Sequence, residues 1–138
     1  MSLSLSKRAV ALGAAALALL GAGVGGGIAL AAADTIRAPY AQAAAVVTAD
    51  GTLFKSKGID SVTTVGVNSF CVKLADPKAD VSKLIYTVTS TSHAYRATAS
   101  QAPVASCGNA KNVIHVHTMA EYEYGGGLTR SPFTLVVH

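Results

Sequence analysis

Hydrophobic and polar residues alternate with a period of two along most of the chain beyond residue 44, which is the pattern of half-buried β-strands. Turn residues such as the Asp50-Gly51 pair interrupt the pattern, and no amphipathic stretch reaches helix length. The predicted strands are Ala45–Ala49, Leu53–Lys57, Ile59–Val65, Ser69–Leu74, Leu84–Thr91, His93–Ala97, Asn112–Thr118 and a last strand from Phe133.

Short strands separated by turns predict an all-β fold, specifically a small antiparallel β-sandwich of Ig-like or Greek-key type. Asp80–Lys83 has the length of a single helical turn. A mixed α+β fold is the alternative, if the Ala-rich stretch Ala94–Ala105 is helical.

The strand Ser69–Leu74 shows the clearest alternation. Its apolar set is predicted to face the core and consists of Phe70, Val72 and Leu74. Cys71 then lies on the opposite face, where a crossing loop can reach it.

An uncharged run of 25 residues, Ala9–Ala33, directly follows Lys7 and Arg8 and predicts an export signal. Small-x-small sites for a signal peptidase end at Ala31, Ala33 and Ala43. Cleavage is predicted after Ala43, with Ala33 as the second choice, which divides the chain into a signal at 1–43 and a secreted domain at 44–138. The alternative is a retained anchor, since the run is long enough to cross a bilayer. Its Ala- and Gly-rich composition favours the cleaved signal, and hence no membrane contact afterwards.

Cys71 and Cys107 are the only cysteines, and an even count in an exported chain predicts a disulfide. The bond would pin the small-residue stretch before Cys107 onto the strand that contains Phe70. A redox pair or a pair of metal thiolates is the alternative, but no Cys-x-x-Cys motif is present.

Five segments occur in an order that resembles a group of small secreted domains of actinobacteria. The segments are Thr48–Leu53, Gly58–Thr63, Phe70–Leu74, Ser106-Cys107 and Pro132–Val137. The resemblance covers Val46–His138 and implies secretion, an all-β fold and a Cys–Cys bond. It implies no substrate and no activity.

The charge of the predicted secreted domain excludes few partners. Residues 44–138 contain eight Lys or Arg and six Asp or Glu, which gives a net charge of +2. Without a basic run or basic residues interleaved with aromatics, nucleic-acid binding is not predicted. The partner is unknown from the sequence; a cell-wall polymer, a glycan or a protein would fit a secreted or cell-wall domain.

His115 and His117 lie two positions apart on a predicted strand, so both imidazoles share a face. Such a pair can bind zinc or copper if a third ligand comes from elsewhere. Candidates for that ligand are His93, Glu121, Glu123 and His138. The favoured interpretation is a solvated histidine pair on the polar face, with no metal and no other cofactor.

Glu121 and Glu123 share a face in the same way, and paired carboxylates are the machinery of glycoside hydrolysis. A small wall-polymer hydrolase is therefore an alternative function, but a solvated edge is favoured. Tyr122 and Tyr124 alternate with these acids beside Gly125–Gly127 and offer flat contact area. The sequence thus predicts a non-catalytic binding or structural domain of the cell envelope, with these four residues as its binding surface.

Overall fold

The computed structural model of the protein describes residues 34–35, 40–121, 123 and 125–138. The predicted signal run Ala9–Ala33 and two predicted binding residues, Tyr122 and Tyr124, lie outside the described residues. Within the described ranges, none of the helices has the length and apolar character needed to cross a membrane.

Nearly all regular structure in the described ranges is β-strand. The strands are β1 (Asp34–Thr35), β2 (Ala43–Val47), β3 (Leu53–Lys57), β4 (Ile59–Val65), β5 (Ser69–Leu74), β6 (Tyr86–Ser90), β7 (Tyr95–Ser100), β8 (Val113–Ala120), β9 (Gly127–Leu128) and β10 (Phe133–Val137). Single 3-10 turns lie at Val81–Lys83 and Ala105–Cys107. The predicted bounds of β3, β4 and β5 are confirmed. The alternative α+β fold is wrong, because Ala94–Ala105 contains β7 rather than a helix.

Two sheets form the predicted antiparallel β-sandwich. The first has the strand order β1-β3-β2-β10-β6, and the second has the order β4-β5-β8-β7, with β9 paired to β8. All pairs are antiparallel except β1 with β3, which is parallel. The last strand, β10, therefore lies inside the first sheet, between β2 and β6.

The core lies between the inner faces of the sheets. Phe70 of β5 and Phe133 of β10 are fully buried, and their ring centroids are 5.1 Å apart. The inward set predicted for β5 is buried throughout, at 0% to 4% exposure. Period-two alternation in both sheets supplies this interface, as expected for a sandwich.

Strand β2 begins two residues before its predicted start and also ends earlier. Ala43 and Ala44 pair with Val137 and Val136 of β10, which extends the strand at its beginning. At its end, the Thr48 hydroxyl donates to Asp50, whose carboxylate also accepts from the Thr52 N–H. These bonds close a turn before residue 49 can join the strand.

Candidate functional site

A groove between β6 and β7 is the candidate functional site. These strands follow each other in the chain but belong to different sheets, since β6 pairs with β10 and β7 pairs with β8. No backbone ladder between them closes the gap. The resulting groove has a volume of about 370 Å³ and is lined by residues 88–93, residues 95–97 and Glu121.

Four consecutive hydroxyl residues, Thr89–Ser92, form one wall of the groove and the turn at its end. The Ser90 hydroxyl donates to the Ser92 carbonyl at 2.9 Å, and the Thr91 hydroxyl donates to the Pro132 carbonyl at 3.2 Å. The Ser92 hydroxyl accepts from the Ala94 N–H at 3.4 Å. Short side chains that bond their own backbone hold the turn in shape without filling the groove.

Arg96 and Glu121 form a two-pronged ion pair on the other wall. The guanidinium Nε lies 3.1 Å from one carboxylate oxygen of Glu121, and the terminal nitrogen lies 3.2 Å from the other. The ladder of β7 with β8 sets this geometry, because it pairs Tyr95 with Ala120, the residue before Glu121. The Glu121 N–H also donates to the Ala94 carbonyl at 2.9 Å, which holds the acid beside the turn.

A tyrosine bridges the two strands away from the turn. The Tyr86 hydroxyl of β6 donates to the Ser100 carbonyl of β7, while the ring packs partly against the core. Burial removes water from the phenol and raises the pKa of Tyr86 above its usual value of 10.0. The bridge and the turn therefore fix the spacing of β6 and β7 at both ends.

Of the two predicted binding residues that the structure describes, Glu121 lines the groove. Glu123 is exposed and is not part of the lining. Sequence reasoning missed Arg96 and the hydroxyl wall. The Thr-Ser-Thr-Ser run at 89–92 was the available signal, because it places four hydroxyls just before an isolated arginine.

The alternative function of a hydrolase requires a pair of carboxylates, and the described lining of this groove contains one, Glu121. Glu121 is held by Arg96, and no second carboxylate lines the walls that the structure describes. Paired glycosidase carboxylates must flank the scissile bond within about 5–9 Å of each other. The described lining of the groove therefore does not supply the carboxylate pair of a glycosidase.

His115 and His117 share the outer face of the second sheet, as predicted, with ring centroids 4.1 Å apart. The interpretation of both as solvated side chains is wrong for His115, which is only 5% exposed. The serine hydroxyls of Ser100 and Ser106 lie 3.4 Å from its Nδ1 and 3.5 Å from its Nε2. Burial, and secondarily the neighbouring His117, lower the pKa of His115 below its usual 6.5.

The predicted disulfide explains this burial. Cys71 and Cys107 are bonded, with their Cα atoms 5.6 Å apart, and Cys71 lies directly across from His115 in the β5–β8 ladder. The bond therefore holds the turn Ala105–Cys107 against this face, beside His115. A strand position that alternation assigns to solvent is covered by this tethered turn.

The two histidines do not gain a third ligand in the part of the chain that the structure describes. Among those residues, no group of three His, Cys, Asp or Glu side chains is arranged to hold a metal ion. The Nδ1 atom of His117 is also engaged, at 2.9 Å from the Ser69 hydroxyl. Metal binding by this pair stays a hypothesis that rests on two imidazoles.

Comparison with known proteins does not supply a function: no family model, no curated protein and no solved structure matches the chain. The resemblance to small secreted actinobacterial domains stays a prediction.

Proposed function

We propose that the protein is an exported, non-catalytic binding domain whose β6–β7 groove takes up a neutral, polyhydroxylated ligand such as a glycan of the cell envelope. The observation that carries the proposal is the two-pronged Arg96–Glu121 pair on the wall of an open, hydroxyl-lined groove. The Cys71–Cys107 bond supports export, since disulfides persist in oxidising compartments.

The charge of the groove favours a neutral ligand. Arg96 and Glu121 are the only Lys, Arg, Asp or Glu residues in the described lining, and they neutralise each other. A phosphate-rich polymer would require unpaired basic residues along the walls. A neutral ligand avoids the cost of separating either charge from its partner.

The hydrogen-bonding capacity of the walls matches a sugar. Guanidinium groups only donate and carboxylates only accept, and the Ser90 and Thr91 hydroxyls, which already donate to backbone carbonyls, can still accept. Neighbouring hydroxyl groups of a sugar can therefore meet Arg96, Glu121 and the hydroxyl wall at once. The half-buried Tyr95 ring, which also lines the groove, offers an apolar surface to a sugar ring.

The dimensions of the groove fit part of a chain rather than a whole enclosed ligand. Its volume of about 370 Å³ is near the lower limit of small-molecule sites, roughly 300–1,000 Å³. Its walls are strands of two sheets that no ladder joins, and the groove lies between the turn at Ser92 and the Tyr86–Ser100 bridge. An extended glycan would place one segment in it and continue beyond.

Titration calorimetry with neutral glucan, galactan and chitin oligosaccharides tests the proposal, with heparin as the anionic comparison. We expect at least one neutral oligosaccharide to bind and Arg96→Ala to weaken it about tenfold or more, which corresponds to about 1.4 kcal/mol. Lys73→Ala is the matched control, because Lys73 forms a similarly exposed ion pair with Asp60 at 2.8 Å across β4 and β5 of the same sheet, away from the groove. The control should bind like the wild type.

Three outcomes would contradict the proposal: no binding of any neutral oligosaccharide, binding of heparin alone, or an equal loss of affinity in both variants. A Tyr122→Ala, Tyr124→Ala double variant belongs in the same titration. These residues flank Glu123 directly after the groove residue Glu121. We expect them to extend the contact surface, so that affinity falls while the melting temperature is unchanged.

A further inference from the structure

We propose that export processing spares the Ala41-Gln42-Ala43 site and removes the leader at the site ending at Ala33, so that the mature chain begins at Asp34. This inference rests on the proposed export but not on the groove. It concerns the choice between the sites that end at Ala33 and Ala43, because both have the small-x-small sequence that a signal peptidase accepts.

Residues 41–43 are part of the sandwich. Ala41 and Ala43 are 8% and 4% exposed. The Gln42 N–H donates to the Val137 carbonyl at 2.9 Å, and Ala43 continues the ladder as the partner of Val137. On the other side, the Lys57 ammonium donates to the Ala41 carbonyl at 2.7 Å. The segment is thus bonded both to the last strand and to β3.

The corner between β3 and β4 is shaped around the same residues. Gly58 occupies this corner with φ +64°, a conformation that glycine adopts readily. A Cβ added there would lie 2.7 Å from the Gln42 carbonyl oxygen and 3.2 Å from the Ala43 Cβ. The atoms that such a Cβ would meet belong to residues 42 and 43. A residue without a Cβ is therefore needed at position 58 only if the mature chain contains residues 42 and 43.

Cleavage after Ala43 would disrupt this arrangement. It would place a charged amino group on Ala44, which is 2% exposed in a strand flanked by β3 and β10. It would also deprive the Val137 carbonyl of its donor, and a polar group without a partner is destabilising. A chain cut there is less stable and more readily degraded, so it should not be the form that accumulates.

Cleavage at Ala33 preserves every contact described above. Water hydrolyses the Ala33–Asp34 amide, leaving a carboxylate on Ala33 of the released leader and an ammonium on Asp34. The new first residues, Asp34 and Thr35, are β1, which pairs with Lys55 and Ser56 of β3. The mature chain then starts on a strand of the first sheet.

The test is to express the full chain in a secreting bacterial host and to determine the intact mass and N-terminal sequence of the secreted protein. We expect a chain that starts at Asp34. A start at Ala44, or an unprocessed chain that starts at Met1, would overturn the proposal. A start elsewhere between Thr35 and Ala41 would overturn the assignment to Ala33.

Two full-length variants make the test independent of stability. Ala33→Phe places a large residue at the cleavage position, and we expect the Asp34 terminus to disappear. Ala32→Phe changes the middle residue of the small-x-small site and should still yield Asp34. Unchanged processing of Ala33→Phe would overturn the proposal. A secreted chain that starts at Asp34 but binds no saccharide would leave this inference intact while contradicting the groove function.

Discussion

Two polar regions of the molecule have similar composition and opposite exposure. The outer face of β5 and β8 carries His115 and His117 among serine hydroxyls, and the β6–β7 groove carries Arg96 and Glu121 among serine and threonine hydroxyls. His115 is 5% exposed, whereas the Arg96 side chain is 63% exposed. The difference arises from the turn Ala105–Cys107, which the disulfide holds against one region, while the groove lies open.

The comparison shows that residue type alone does not decide whether a polar cluster is structural or available for binding. Beside the disulfide, the hydroxyls of Ser100 and Ser106 lie within 3.5 Å of the ring nitrogens of His115, which is buried. In the groove, an exposed ion pair contributes little to stability, about 0–1 kcal/mol, so its hydrogen-bonding groups can serve a ligand at small cost to the fold. The following predictions test this division.

Removing the tether should give the largest effect. A Cys71→Ala, Cys107→Ala variant loses a cross-link that closes a 36-residue separation, and the free energy of unfolding should fall by about 4 kcal/mol. Urea unfolding measures the loss. Saccharide affinity, measured where the variant is still folded, should be unchanged, because the β7–β8 ladder positions Arg96 and Glu121. A loss below about 1 kcal/mol would show that the bond is not needed to hold the turn Ala105–Cys107 against the outer face of β5 and β8.

Removing the bridge across the groove should give a smaller effect. Tyr86→Phe deletes the hydroxyl that donates to the Ser100 carbonyl, and the unfolding free energy should fall by about 1 kcal/mol. Saccharide affinity should also fall, because the bridge fixes the spacing of β6 and β7. Tyr40→Phe is the control, since Tyr40 is 95% exposed, and it should change neither quantity. Lower stability with full affinity would mean that the bridge does not shape the groove.

The fold could be predicted from the sequence because a period of two assigns each residue to a face. In β5, Phe70, Val72 and Leu74 alternate with other residues, so all three apolar side chains can be buried only if they face the core together. The pattern was less informative for β2, whose first residues are alanines. There the distant partner β10 determines where the strand begins.

The candidate site could not be predicted in the same way. Alternation does not state which sheet a strand joins, and the groove exists because β6 pairs with β10 rather than with its neighbour β7. Glu121 was identified from its local pattern, but its partner Arg96 lies 25 residues earlier in the chain. The burial of His115 was missed for a related reason, since the residues that cover it are in a loop without periodicity.

The smallest effect should be a pH dependence of stability that arises from the buried His115. The folded state lowers the pKa of His115 below 6.5, so the unfolded chain binds a proton at higher pH than the folded one. The stability that depends on neutral His115 is therefore complete above about pH 6.5 and is lost as the pH falls through the folded pKa. The melting temperature of the wild type should fall between about pH 7 and pH 5, and that of His115→Gln should fall less.

The exposed His138→Gln variant is the control and should keep the wild-type slope. Asp50 and Asp80 do not interfere, because hydroxyl bonds from Thr48 and Ser82 lower their pKa values below 3.8. Equal slopes in the wild type and His115→Gln would mean that His115 does not cause the fall in melting temperature at low pH.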